Sequence, residues 1–338
     1  MIAWKQWIAA ALVAAALSGA APAPERDFAP DADAGSVVEE YLRDNEVDTD
    51  RLTLGYMNTV TGETYLLNGD EYLYPASMYK VALCMYWAEK VSRGEMEWTD
   101  EVDTQSLERL VEGTLERSDN RFAGSLLLEV SPLFPEYRAA MAPFYGIDPA
   151  AMPPEYEKDG YNTARQILHN LAMLYGNPDR YPRILDYMRS AEPDDYFLSD
   201  PKPWPVAHKY GYYDEGGLTI NDCAVVYTDD PFLLVVFTHN LDEAVPVMSR
   251  LCLLLGEYTQ FDTRRRAEQA AGATPTPAPT SEPTPAPTPV PTFSPTPTAS
   301  PAPADPAGEK KASPVWAVWV LAAAAAGVLY IRRKKHDQ

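Results

Sequence analysis

The chain is 338 residues long, carries a formal net charge of −21, and holds 32 prolines, three cysteines and four histidines. A chain this acidic excludes nucleic acid and anionic surfaces as partners. Three cysteines cannot close a disulfide framework, and the histidines (His169, His208, His239, His336) lack metal-ligand spacing, so no metal site is expected; no organic cofactor is expected either.

Residues 1–20 have a lysine, a short apolar run and small residues, the layout of a secretory signal peptide. Cleavage after Ala20, with Ser18 two positions earlier, satisfies the small-residue rule. The apolar run is short for a bilayer span. A body of about residues 30–270 follows, enough for one sizeable domain.

Within the body, Val37, Val38, Tyr41 and Leu42 share one face of a predicted helix, with Ser36 and Glu39 at capping-box spacing. "RLTLGYMNTVTGETYLLNG" alternates and turns at Thr61-Gly62, which predicts a hairpin. Ser77 to Val91 is apolar all round and predicts a buried central helix. Next come helical stretches: "SLERLVEGTLERSDN", with Leu107, Leu110, Val111 and Leu115 in one stripe, "NRFAGSLLLEV", "PEYRAAMAPFYG", and "YNTARQILHNLAMLYG", opened by a Thr163/Gln166 capping box and closed at Gly176. "PVAHKYGYY", "LTINDCAVVYT" and "PFLLVVFTHN" return to strand pattern. An apolar helix, tolerating Pro246 in its early turns, ends the body. This order predicts an α+β fold: one antiparallel five-stranded sheet flanked by N- and C-terminal helices, with an inserted helical lobe. A cleft is expected between sheet and lobe. The apolar settings of Cys84, Cys223 and Cys252 predict buried thiols, with a Cys223–Cys252 disulfide as the alternative.

Residues 274–306 repeat proline at every second to fourth position, which favours an extended stalk of roughly 100 Å at ~3.1 Å per residue. Residues 315–331 are uncharged and mostly apolar, long enough for a transmembrane helix, with Trp316, Trp319 and Tyr330 near the ends. Residues 332–338 begin Arg-Arg-Lys-Lys, which predicts a cytoplasmic tail. The expectation is a single-pass, membrane-anchored bacterial protein with its body outside the cell.

Three short motifs stand in order. Ser77-x-x-Lys80 opens the central helix, so both residues share a face. A serine hydroxyl needs a base, and a lysine serves only if burial or a nearby positive charge keeps it neutral for part of the time. The helix start also supplies N–H groups where an oxyanion would form. Ser118-Asp119-Asn120 lies between two helices, where all three residue types also suit a plain cap. Lys209-Tyr210-Gly211 lies on a predicted strand, where the bland alternative is a lysine on a solvent face.

Together, S-x-x-K, S-D-N and K-x-G resemble the set used by class A β-lactamases and penicillin-binding proteins. "GYMNTVTGETYLLNGDEYLYPASMYKVAL" and "HKYGYYDEGGLTINDCAVVYTDDPFLLVVFT" are similar to that family's hairpin with catalytic helix and to its last strands, and the likeness spans most of residues 33–260. The resemblance implies that Ser77 is acylated, Lys80 activates it, Ser118 relays a proton to the departing nitrogen, and Asn120 binds the substrate amide and steadies Lys80. It implies that Lys209, in the Lys209-Tyr210-Gly211 strand, attracts a substrate carboxylate. The backbone N–H groups of Ser77 and Tyr212 would form the oxyanion hole.

Two departures stand out. Tyr210 replaces the family's usual Thr or Ser, and the loop between Gly146 and Thr163 lacks the E-x-x-x-N motif whose glutamate activates the deacylating water. Glu155 and Glu157 are the nearby glutamates and the candidates for that deacylating base. The expected function is a serine hydrolase acylated by a β-lactam or related amide. The alternatives are a D,D-peptidase of cell-wall peptides and a non-catalytic stalked module binding wall fragments. The expected partner is a small-molecule or peptide amide.

Overall fold

A computed structural model of the chain describes residues 26–272, Gly216 excepted. The expected signal peptide (1–20), stalk (274–306), membrane span (315–331) and basic tail (332–338) lie outside the described residues. Among the described residues no helix is long and apolar enough to cross a membrane.

Helix α1 (Ala34–Asp44) buries Val37, Val38 and Leu42 as the spacing predicts. Its cap differs from the expected one. Asp33 accepts from the Ser36 N–H, and the Asp33 N–H donates to Ser36 Oγ, so Ser36 closes the box from the third position. Asp and Ser cap helices about equally well, and the carboxylate also meets the positive end of the helix dipole. Strands β1 (Leu52–Asn58) and β2 (Thr64–Leu67) form the expected hairpin, with Gly62 in the left-handed region at φ 76°.

A single 3-10 turn, Ala76–Met78, leads into α2 (Tyr79–Ser92). Lys80 to Met85, Trp87 and Ala88 of α2 are buried, which confirms a central helix. A small ribbon of β3 (Glu101–Val102) and β4 (Gln105–Ser106) precedes α3 (Leu107–Glu116), whose Leu107, Leu110, Val111 and Leu115 face inward. The lobe continues through α4 (Asn120–Val130), α5 (Phe134–Met141), a 3-10 turn at Ala142–Tyr145, the one-turn α6 (Pro154–Glu157) and α7 (Ala164–Gly176). Thr163 and Gln166 make the predicted capping box. Helix α8 (Ile184–Arg189) left no periodic signal in the sequence, being too short to repeat its pattern.

Strands β5 (Val206–Tyr213), β6 (Thr219–Val226) and β7 (Phe232–Thr238) return the chain to the sheet, and α9 (Ala244–Gly272) follows. The sheet order is β2-β1-β7-β6-β5, antiparallel throughout. The two ends of the body meet at β1 and β7, in register from Leu52 opposite Thr238 to Asn58 opposite Phe232. This is the predicted α+β fold. Every residue of β7 is buried, because both sheet faces are covered. One face packs on α1 and α9 through Val38, Leu42, Leu251, Leu255 and Tyr258. The other packs on α2 and the lobe through Val81, Leu83, Leu110 and Leu171. Each such buried side chain stabilises the fold by about 1.5–3 kcal/mol before entropy is counted.

All three cysteines are buried free thiols. The alternative Cys223–Cys252 disulfide is not formed: Cys223 belongs to the lobe-side core and Cys252 to the core under α9, with the sheet between them.

Candidate active site

Ser77 sits in the 3-10 turn before α2, half-buried, just after Ala76 at φ 46°. Strand β5 lies directly against this turn. A Cβ on Gly211 would come within 2.9 Å of Ala76 Cβ and Pro75 O and 3.0 Å of the Ser77 backbone N. Only a residue without a side chain lets β5 approach the turn this closely. Among the described residues β5 is the last strand of the sheet. The Ser77 and Tyr212 N–H groups named by sequence thus belong to two elements in contact.

Lys80 follows one helical turn after Ser77 and is fully buried. Its Nζ donates to Ser118 O (2.8 Å), Ser118 Oγ (3.0 Å) and Asn120 Oδ1 (2.7 Å). Three donors meet three acceptors, the full complement of an ammonium. Among the described residues no hydrogen bond is made by the Ser77 hydroxyl; the lysine expected to reach it is drawn to Ser118 and Asn120 instead. Burial pulls the Lys80 pKa well below the usual lysine value, and the charge of Lys209 pulls it the same way. A lysine that yields its proton this readily gains the lone pair a base needs.

The Ser118-Asp119-Asn120 segment does two jobs at once. Asp119 is the N-cap of α4, accepting from the N–H groups of Arg121 and Phe122. Ser118 stands just before it at φ 53°, a left-handed conformation that costs a non-glycine residue of order 1–2 kcal/mol. That twist points both Ser118 O and Ser118 Oγ at Lys80.

Lys209 is fully buried, which removes the reading of a lysine on a solvent face. Burial lowers its pKa to about 8 against the opposing pull of Asp222. Its Nζ donates to Tyr210 O (3.0 Å) and lies 3.8 Å from the centre of the Tyr210 ring. Tyr210 therefore leans over the lysine. Its hydroxyl donates to Glu192 O (2.8 Å), and its ring stacks on Tyr196 at 4.6 Å and 6°. Sequence reasoning missed Asp222, which sits opposite Tyr210 in β6 and accepts from His208 at 2.8 Å, the Cys223 N–H and the Phe197 N–H. The only hint was an aspartate inside an otherwise apolar strand.

Glu155 and Glu157 lie on the one-turn α6, exposed and half-buried respectively. Among the described residues no hydrogen bond links either one to Ser77, Lys80 or Ser118. The buried member of that turn is Tyr156, held by Arg138 through Arg138 Nε to Tyr156 O (2.9 Å) and Tyr156 Oη to Arg138 O (3.0 Å). Downstream, Tyr161 meets Tyr74 edge-on at 6.3 Å, and Tyr74 meets Tyr213 at 4.9 Å. Tyrosines border the turn of Ser77 where the resemblance led one to look for a glutamate.

The chain matches the profile of the β-lactamase enzyme family over residues 38–127 and 136–259. Among solved structures it is similar to a β-lactamase from Xanthomonas campestris pv. campestris (18% identity, covering 66% of this chain and 96% of that one, TM-score 0.54). It is similar also to an ancestral class A β-lactamase (19% identity, 67% and 100% covered, TM-score 0.55). A third is the reconstructed class A β-lactamase of the last common ancestor of Gram-negative bacteria (20% identity, 68% and 100% covered, TM-score 0.55). No curated protein sequence matches the chain.

Proposed function

Because the chain belongs to the β-lactamase enzyme family, we propose that it is a serine hydrolase whose Ser77 is acylated by a β-lactam or a related amide. The observation that carries this reading is the convergence of Lys80, Ser118 and Asn120 on one buried ammonium, one helical turn from Ser77. In the proposed step a neutral Lys80 takes the Ser77 proton and the Ser77 oxygen attacks the carbonyl carbon. The Ser77 and Tyr212 N–H groups receive the developing oxyanion, and Ser118 passes a proton to the departing nitrogen. Asn120 holds the substrate amide. Burial lowers the Lys80 pKa, and the positive charge of Lys209, itself buried, lowers it further.

Deacylation is the weaker half. Neither Glu155 nor Glu157 is bonded into this group, which favours an acyl-enzyme that persists, the behaviour of a penicillin-binding peptidase rather than of an efficient β-lactamase. The body is displayed outside a bacterial membrane by the signal peptide, stalk and C-terminal apolar segment; the sequence pattern supports that placement.

The test is intact mass of the full-length protein mixed with a penicillin and followed over time, with Ser77→Ala alongside. A lasting adduct that Ser77→Ala lacks is the expected result. An adduct that decays with drug turnover would restore the β-lactamase reading. If neither a penicillin nor a fluorophosphonate labels Ser77, the catalytic proposal fails and the binding module takes its place.

A further inference from the structure

Beside Ser118 lies an open hollow of about 440 Å³, lined by Arg117, Glu192, Pro193 and Tyr210. Two of its four walls belong to segments already placed at the site. Arg117 immediately precedes Ser118, whose side chain and carbonyl hold Lys80. Tyr210 immediately precedes Gly211, which packs on Ser77. The Tyr210 hydroxyl is also within hydrogen-bonding reach of the Ser118 side chain, so the hollow borders the residue that would hand a proton to the departing group.

The resemblance assigned that end of a substrate to Lys209. Lys209 is fully buried, spends a donor on Tyr210 O, and lies under the Tyr210 ring. The ring is fixed in place by Glu192 O and by Tyr196. An anion approaching from the hollow meets the tyrosine first and Arg117 beside it.

Arg117 is half exposed, and its one ion pair among the described residues is a loose 3.7 Å contact with Glu116. It makes no hydrogen bond among the described residues, so its guanidinium fork is available to a carboxylate. Glu192 is exposed across the same hollow. Its main chain is tied down, by Glu192 N to Glu116 O and by Tyr210 Oη to Glu192 O. Its carboxylate makes neither an ion pair nor a hydrogen bond among the described residues. A cation and an anion thus line one hollow without pairing with each other. That is the complement of a ligand bearing both charges.

We propose that this hollow receives a zwitterionic amino-acid end of the substrate, its carboxylate on Arg117 and a side-chain ammonium on Glu192, with Tyr210 as the wall that turns it away from Lys209. The inference rests on the reading of Ser77 as the acylated serine, since the end in question is the amine side of the amide that Ser77 would cleave.

The probes are Nα-acetyllysine, Nα-acetyllysinamide and Nα,Nε-diacetyllysine, each in both hands, titrated into the full-length Ser77→Ala protein by ligand-observed NMR. The acetyl group stands in for the scissile amide. At least one hand of Nα-acetyllysine should bind about fivefold more tightly than its two blocked forms, the size of a half-exposed charge pair. Arg117→Gln should erase the preference for the free carboxylate, and Glu192→Gln the preference for the free amine, with melting curves showing that both variants fold. Equal binding of the three probes, no binding at millimolar concentration, or preferences that survive both variants would overturn the proposal. Ser77 labelling is read separately on the wild-type chain. Labelling without the preference would sink the hollow alone, and the preference without labelling would sink the reaction alone.

Discussion

The two flanks of Ser77 are built to different standards. On the flank of Ser118 and β5, a buried ammonium has three acceptors within 3.0 Å, and a glycine lets a strand rest on the turn of Ser77. On the flank of α6, the turn carrying Glu155 and Glu157 is anchored by Tyr156 and Arg138, and neither carboxylate is bonded toward the serine. The first flank spends buried polar groups, which fold stably only when satisfied, and satisfies them. The second spends an aromatic ring and a guanidinium on holding itself together. On the proposed reading, a site made this way forms an acyl bond more readily than it breaks one.

The harshest test of the first flank is Lys80→Met. Losing the base should slow Ser77 adduct formation by about 10²–10⁴-fold. Rates measured by intact mass over pH also check the sign. The Lys80 pKa is lowered, so its neutral fraction grows as pH rises through that lowered value, and wild-type acylation should speed up accordingly. A rate that ignores both the substitution and pH would place the base elsewhere.

Gly211→Ala attacks the same flank from the strand. The new Cβ would collide with Ala76, Pro75 O and the Ser77 N–H, so β5 must back away from the turn. A shift near 1 Å at a reacting group costs about 100-fold in rate. Overpacking adds about 1–3 kcal/mol of destabilisation, readable in a melting curve. Full acylation by Gly211→Ala would mean that close packing of β5 on Ser77 is incidental.

The contrast between flanks also explains what the sequence made legible. Ser77 and Lys80, three apart, needed only a helix to share a face, and Leu107, Leu110, Val111 and Leu115 announced theirs by period alone. The hairpin at Gly62 and the Thr163 box are local chemistry, readable in a few residues. What stayed hidden depends on long-range packing. Nothing in "HKYGYY" says that Lys209 is buried or that Tyr210 folds over it; that follows from Tyr196 and Glu192, which approach from a separate segment. Asp222 acquires its importance only when β6 pairs with β5. Nor can a loop show that its glutamates bond to none of Ser77, Lys80 and Ser118, because a missing contact has no sequence signal.

A smaller effect sharpens the role of Lys209. Its pKa falls from the ordinary 10.5 to about 8, chiefly through burial, so the folded state gives up its proton before the unfolded state does. Below about 8 both states are charged and the full cost of burying the charge is present. Between about 8 and 10.5 the unfolded state binds more protons, so stability gained from this group rises with pH. Lys209→Met should therefore raise the melting temperature at pH 7, by the equivalent of about 1 kcal/mol once the lost ring contact is allowed for. The advantage should shrink as pH approaches 10. A variant less stable than wild type at pH 7 would show that Tyr210 and its carbonyl compensate the buried charge in full.

The smallest expected effect falls on the second flank and bears most directly on what kind of hydrolase this is. Glu155→Gln and Glu157→Gln, separately and together, should leave the lifetime of the penicillin adduct within about twofold of wild type, as expected for surface carboxylates outside the reacting group. The measurement is decay of the adduct mass after excess drug is removed. A carboxylate that activates the deacylating water acts as a general base, and losing it would lengthen the lifetime by about 10²-fold or more. The gap between those outcomes is wide enough to be read without any structural change in the variants. If either glutamine substitution freezes the adduct, α6 must swing a carboxylate toward Ser77 during turnover, against the anchoring of Tyr156 by Arg138. The two flanks would then be equal partners in a β-lactamase, rather than a reactive half and an inert one.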